Sequence, residues 1–360
     1  LKLGLKGYRS KFDNDILVKD YANDQFTKNE RFSQDYSLEE NIGAAYTSLD
    51  FQLGDNTSLI AGLRYEYTDY LLSTQLDPQF LDLKFGNLFP SIFIAHNLKN
   101  RQQLQFSYSR RITRPAFDEL APFVTFIDQN TFFSGNPSLV PGITDNLRMS
   151  YRWRNISLTG TYGFTENAIF KYQPVVDPNS NTQIYTTLNI DKDHQAGIRI
   201  AVPLTLAKWW ETHNVFDWGW NRLIINGENQ QSRQDIKAYV VSSTHNFSLS
   251  NKWTFELTGV YQSSAFYGLL RVRPKGTLNL GIRKVLPNGR GTLSLSATDL
   301  LRTNVWRSTT LIPELNLNNT STFDVETRII RLTYSATFGS AKVKKARKRT
   351  TSSAEQSRRF

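Results

Sequence analysis

The side chains best suited to catalysis or metal binding are few in this sequence, and their spacing suits neither task. Its four histidines, His96, His194, His213 and His245, are far apart and show no metal-ligand spacing. Asp191-Lys192-Asp193-His194 gathers two carboxylates and an imidazole, but reads as a solvated strand end rather than a ligand set. His245 follows Ser242 and Ser243 closely enough to suggest a Ser–His pair. It shares the alternation phase of Val241, Phe247 and Leu249, however, which favours a girdle or groove histidine. There is no G-x-S-x-G elbow, P-loop or dinucleotide fingerprint. The absence of cysteine removes thiol nucleophiles, zinc–cysteine centres and disulfides. The expectation is a protein that is not an enzyme and carries no cofactor or resident metal.

Binding chemistry concentrates in one stretch. Between Pro115 and Pro141 lie five phenylalanines, Phe117, Phe123, Phe126, Phe132 and Phe133, beside Asp118, Glu119 and Asp128. Aromatic rings supply contact area and carboxylates supply orientation, so such a loop over an opening could hold a ligand. The same residues also suit a loop packed against its neighbours, with Pro and Asn setting its turns. The candidate contact residues are Arg114, Phe117, Asp118, Phe123, Phe126, Asp128, Phe132, Phe133 and Asn136.

The elements that must position these residues are strands. Of 360 residues, 39% are hydrophobic and 13% aromatic, with 23 Phe, 16 Tyr and 7 Trp against one Met, a balance that favours strands over helices. No apolar run reaches the roughly 18 residues a membrane helix needs. Period-two alternation runs along most of the chain. Leu59, Ala61, Leu63, Tyr65 and Tyr67 oppose Gly62, Arg64, Glu66 and Thr68; Leu147, Met149, Tyr151 and Trp153 oppose Arg148, Ser150 and Arg152. Phe89 to Leu98 is apolar on both phases, and its faces stay unassigned.

A soluble sandwich would turn the apolar faces inward, and a membrane barrel would turn them toward lipid. The connections discriminate. Short turns near 54–56, 98–101, 154–155, 206–209, 250–252 and 287–290 alternate with long polar connections near 11–33, 73–84, 113–141, 173–183, 226–234, 264–272 and 302–321. That rhythm predicts an all-β, antiparallel, up-and-down transmembrane barrel with about fourteen strands, part of a larger barrel. Trp153, Trp209, Trp210 and Trp253 fall beside short turns, where an interfacial aromatic girdle belongs. Trp218 and Trp220 keep the phase of Trp210 and stand roughly 19 to 23 Å higher, at the other girdle. Charged residues mostly take the lumen phase. Arg110 does not, which implies either a bulge or a position already at the interface.

The formal charge of +11 is uneven. Eight basic residues against Glu355 give residues 340–360 a net +7, leaving +4 on the first 339. The expected organisation is a barrel over residues 1–339 and a solvated, disordered basic tail over 340–360, with no nucleic-acid partner. Leu1, Leu3 and Leu5 already alternate, so the chain reads as the C-terminal portion of a longer protein.

The segment from Arg110 resembles TonB-dependent-receptor barrels. It carries Arg114-Pro115, Glu119-Leu120, Pro122-Phe123 and then Gly135-Asn136-Pro137 with Leu139 and Pro141, although Gly142 stands where the family usually has Glu. Arg273 to Leu301 resembles the family's penultimate hairpin. Ile330, Leu332, Tyr334 and Phe338 resemble the terminal strand that barrel-insertion machinery reads, although here a basic tail follows it. The resemblance covers essentially the whole chain and is nearest to the subgroup called the outer-membrane β-barrel family. It implies a bacterial outer-membrane transporter, embedded in the lipid bilayer, that takes up a scarce nutrient. It also implies a plug and a TonB-contacting segment before Leu1. A structural or adhesive barrel without transport is the alternative, and a soluble carbohydrate-binding β-protein is a more distant one.

Overall fold

The computed structural model describes residues 1–336 apart from 31–32, 76, 129, 178–181, 227–230, 288–290 and 313–316. Phe338, the 340–360 segment and part of the expected 287–290 turn lie outside the described residues. The chain runs β1 (Lys2–Ile16), β2 (Lys19–Ala22), β3 (Gln25–Lys28), β4 (Gln34–Leu53), β5 (Thr57–Thr74), β6 (Leu81–Leu98) and β7 (Gln102–Thr113). A one-turn helix α1 (Phe117–Leu120) and the short strands β8 (Val124–Phe126) and β9 (Thr131–Ser134) precede β10 (Gly142–Trp153), β11 (Ile156–Asp177) and β12 (Thr182–Ala207). Then follow β13 (Trp210–Asn226), β14 (Gln231–Ser248), β15 (Trp253–Gln262), β16 (Ala265–Tyr267), β17 (Leu270–Val272) and β18 (Lys275–Val285). The chain continues through β19 (Thr292–Ala297), β20 (Trp306–Ile312), β21 (Leu317–Phe323) and β22 (Ile330–Ser335).

Fourteen of these strands form one antiparallel wall in the order β1-β4-β5-β6-β7-β10-β11-β12-β13-β14-β15-β18-β19-β22. Sequence neighbours are always spatial neighbours, as expected where every connection is a hairpin. The wall bears out the all-β, antiparallel, up-and-down expectation and its strand number. Among the described residues β1 and β22 pair on one edge only, so the wall is open there.

The short turns bend where left-handed residues allow it: Gly54 at φ 65°, Asn100 and Arg101 at 58° and 60°, and Arg154 at 54°. The long connections are shorter than the sequence suggests because strands run into them; β11 reaches Asp177 and β12 begins at Thr182. Among the described residues four of them carry hairpins of their own: β2–β3, β8–β9, β16–β17 and β20–β21.

Register assigns the faces. Leu63 pairs with Pro90, Tyr65 with Leu88, and Ile92 and Ile94 with Tyr108 and Phe106, so these residues share the outer, apolar phase. Phe89 and Ala95 take the inner phase and are buried, which resolves the segment whose sequence is apolar on both phases. Arg110 needs no bulge: β7 and β10 pair without a shift from Gln102 to Thr113. Its cross-strand partner is Asp145, reached by Nε at 2.9 Å and Nη2 at 2.7 Å, while the Tyr108 hydroxyl donates to the same carboxylate at 2.6 Å. Eight residues above Gln102, at roughly 19 Å of rise, the pair stands near the outer interface.

A buried carboxylate pins the connection after β19. Asp299, at φ 44°, accepts from the Thr303 and Asn304 N–H groups at 3.0 and 3.2 Å and from the Thr327 hydroxyl at 2.6 Å. Burial alone would raise its carboxyl pKa. These donors, with Arg328 nearby, outweigh burial and hold it below the ordinary carboxylate range.

Candidate functional site

At the rim with the long connections, the 114–141 segment turns back onto the inner face of the wall. The turn is anchored by Arg114, whose Nη2 donates to Glu66 Oε2 at 2.7 Å and to Thr68 Oγ1 at 2.9 Å; Arg64 also pairs with Glu66. Pro115 and Ala116 then lead into α1, where Glu119 Oε2 accepts the Ala116 N–H at 2.7 Å. The reach of this helix is apolar. Leu120, Ala121 and Leu139 pack on Tyr36, Leu38, Tyr70 and Leu72, with Phe12, Phe117 and Phe123 at the edge. Tyr70 and Leu72 continue the lumen phase of Glu66 and Thr68, which is polar lower down; the docked segment is what makes apolar residues stable there. Each fully buried leucine contributes about 1.5 to 3 kcal/mol.

The Gly-Asn-Pro step closes the segment. A Cβ on Gly135 would lie 2.1 Å from the Ala121 carbonyl oxygen, so only glycine permits this approach. Asn136 then donates its backbone N–H to the Glu119 carbonyl at 2.7 Å and its Nδ2 to the Thr187 carbonyl at 3.0 Å, tying the segment to β12. β9 adds parallel pairing to β12 from Thr131 to Phe133.

Opposite, β11 leaves regular geometry twice. Asn167 takes φ 54°, and beyond it Ala168 and Ile190 pack with Leu223 and Leu269. Between Phe170 and Gln173 the register with β12 shifts, and Tyr172 takes φ 58°. A bulge of this kind bends a strand and re-aims its side chains; here Lys171 and Tyr172 are turned to line a cavity. Gln173, fully buried, locks the bulge: its Nε2 donates to the Lys171 carbonyl at 2.7 Å and its Oε1 accepts the Leu269 N–H at 2.6 Å. Gly268, at φ 56°, lies so close to Gln173 that a Cβ would meet Oε1 at 2.4 Å.

The cavity encloses about 670 Å³, within the range of small-molecule sites. Its walls come from α1 and β8–β9, from the β11–β12 rim, and from the β16–β17 and β20–β21 hairpins. Tyr172, Phe133, Tyr185, Tyr267 and Trp306 supply rings, and Ser134, Thr186, Thr187 and Ser308 supply hydroxyls. Lys171 bridges the segment and the wall, with Nζ 2.8 Å from Glu119 and 3.7 Å from Asp118.

Three of the nine candidate contacts, Asp118, Phe123 and Phe133, line this cavity. Arg114 is the anchor to the wall and Phe117 packs in the core beneath. Phe126 and Phe132 meet edge-on at 6.0 Å, and Asp128 accepts the Asn130 N–H in a turn. Asn136 is the tie to β12. Sequence reasoning missed Lys171, Tyr172, Tyr185, Tyr267 and Trp306. The available signal was the aromatics at the edges of the other long connections.

Trp153, Trp209, Trp210 and Trp253 stand at the short-turn ends. Trp209 stacks on Trp210 at 6.0 Å, Arg154 lies over Trp153 and Lys284 over Trp253. Trp218 and Trp220 sit further up β13, with Arg222 over Trp220 at 4.7 Å. Among the described residues no group of three or more His, Asp or Glu gathers as a metal site.

The copper transporter OprC is similar in fold, at 12% identity and TM-score 0.56 over 86% of this chain and 49% of that one. The siderophore receptor PirA from Pseudomonas aeruginosa matches at 12% identity and TM-score 0.49, over 84% and 62%. The ferric enterobactin receptor PfeA matches at 14% identity and TM-score 0.47, over 89% and 58%. The chain therefore spans less than two thirds of the length of these proteins. No curated protein matches the sequence. The model of the outer membrane protein beta-barrel family matches residues 1–338. The chain belongs to that family, and its place is the bacterial outer membrane.

Proposed function

We propose that this chain is the barrel-wall and capture part of a TonB-dependent-receptor-like transporter that takes up a scarce nutrient, and that it is not an enzyme. The observation that carries the reading is the aromatic cavity at the long-loop rim, built jointly by a docked segment and a locked bulge. A purely structural wall has no need of either device. In this reading Asp118, Phe123, Phe133, Tyr172 and Trp306 contact the ligand. Arg114 and Asn136 hold the capture segment in place.

Residues 1–339 are assigned to the barrel portion, and the basic 340–360 stretch, outside the described residues, to the periplasmic side. The six tryptophans of β10, β13, β15 and the 206–209 turn form the two membrane girdles, because indole rings favour the headgroup level. Ile330, Leu332 and Tyr334 of β22, with Phe338, present the strand to barrel-insertion machinery. A plug and the contact with the TonB complex come from regions outside residues 1–360. Ligand seats in the cavity, and plug rearrangement driven from the inner membrane opens the path.

The test is energy-dependent uptake. A deletion strain complemented with the full-length gene should take up at least one of a panel of iron complexes, glycans and peptides. Tyr172→Ala and Trp306→Ala should reduce that uptake without lowering the amount of folded protein in the outer membrane. Equal behaviour of deletion and complemented strains on every compound would contradict transport and favour an adhesive or structural role.

A further inference from the structure

We propose that the mouth cavity selects uncharged ligands that present flat apolar faces with hydroxyl or amide edges, and rejects polyanions. This rests on the capture reading above and specifies its substrate class. The first ground is charge. Asp118, Glu119 and Lys171 are the charged residues lining the cavity among the described residues, a net of one negative charge. The only ammonium among them is already engaged, 2.8 Å from Glu119 and 3.7 Å from Asp118. Glu119 is buried at 7% exposure and is held in addition by the Ala116 N–H, so the carboxylate that pairs with Lys171 is fixed in place. A second ammonium, Lys275, stands 5.2 Å from the Trp306 ring centre but does not line the cavity. A polyanion entering here would lose hydration and find a carboxylate excess in return, which opposes its binding.

The second ground is shape. Phe133 meets Tyr172 edge-on at 5.5 Å and Tyr185 at a 42° tilt at 5.6 Å, and Tyr267 meets Trp306 edge-on at 6.5 Å. An edge-on pair covers one face of one ring, and Lys275 lies over one face of Trp306; the remaining faces can take flat apolar surfaces. Apart from Asp118, Glu119 and Lys171, the polar side chains of the lining are neutral hydroxyls, which suit hydroxyl or amide groups and carry no charge to balance a polyanion. An oligosaccharide and an uncharged metal chelate with amide or hydroxamate edges share this chemistry.

Calorimetry on the full-length receptor purified in detergent tests the inference with three probes: an uncharged linear tetrasaccharide, an uncharged ferric trihydroxamate and the trianionic ferric tris-catecholate. At least one uncharged probe should bind about 10-fold or more tightly than the trianion, and which one does so identifies the source. Tyr172→Ala and Trp306→Ala should weaken that binding about 10-fold, and Asp118→Asn should narrow the gap to the trianion a few-fold. Tighter or equal binding of the trianion, no uncharged binding below about 1 mM, or indifference to both aromatic substitutions would overturn it. Whole-cell uptake separates the two levels. Energy-dependent uptake of the trianion without preference for uncharged probes refutes charge selection and leaves transport standing. Tight uncharged binding without energy-dependent uptake refutes transport.

Discussion

The lower and upper halves of β11 are one continuous strand under two different sets of rules. From Ile156 to Glu166 it pairs with β10 without a register shift, its outer phase carrying Leu158, Tyr162 and Phe164. From Asn167 upward it takes two left-handed residues, shifts register against β12 and buries a glutamine completely. Below, each face meets a single solvent, lipid outside and water inside, so alternation alone is stable. Above, the inner face meets protein, and side chains must be aimed individually. The same contrast holds on β5, where Arg64, Glu66 and Thr68 give way on one phase to Tyr70 and Leu72 under the docked segment. A barrel wall thus becomes a binding site where its connections fold back onto it.

Substitutions can break either half. Leu147 stands roughly 14 Å above the short-turn end on the outer phase, near the midplane. Leu147→Arg should cost about 2 to 4 kcal/mol in the denaturant-unfolding equilibrium in detergent or lipid. Gln105→Arg, on the inner phase, should change it by about 0.5 kcal/mol or less; equal costs would undo the face assignment. In the upper half, Leu120→Ala should cost about 2 kcal/mol and expose the 114–141 segment to protease while the barrel stays heat-modifiable on gels. Gly268→Ala should cost a similar amount or slightly less, since it combines a left-handed backbone with a clash against Gln173. Its sharper signature would be weakened ligand binding with the barrel intact.

Asp299→Asn should cost about 1 kcal/mol at neutral pH, and the penalty should depend on acidity. The folded Asp299 carboxyl is depressed relative to the unfolded chain. Its contribution is therefore present above the unfolded carboxylate value and is lost as pH falls through the folded one. Unfolding midpoints of the two proteins should converge in acid and separate at neutrality; a constant separation would contradict the assignment.

Most of the wall was legible from sequence because period-two alternation and the rhythm of short and long connections are direct consequences of lipid on one face and water on the other. Arg110 could not be placed from its own strand alone, since its partner Asp145 lies across a loop of nearly thirty residues. Only three of the nine candidate contacts read from the sequence line the cavity. Asp118, Phe123 and Phe133 belong to a conspicuous aromatic stretch. Tyr172 owes its role to a bulge that no residue pattern announces, and Tyr267 and Trp306 to hairpins whose placement over the mouth is tertiary. The lumen-phase Tyr70 and Leu72 mislead alternation for the same reason: their solvent is a docked loop.

The most direct test places single cysteines within residues 1–360, which contain none of their own, in a full-length protein whose cysteines elsewhere, if any, are replaced by serine. A membrane-impermeant maleimide is applied to intact cells carrying Tyr172→Cys, Leu120→Cys or Asn155→Cys in the full-length protein. Labelling of Tyr172→Cys on intact cells, protection of Leu120→Cys until unfolding, and labelling of Asn155→Cys only after the outer membrane is permeabilised are the predicted results. Immediate labelling of Asn155→Cys with a silent Tyr172→Cys would invert the barrel. Leu120→Cys labelling as fast as Tyr172→Cys would remove the docked segment on which the cavity depends.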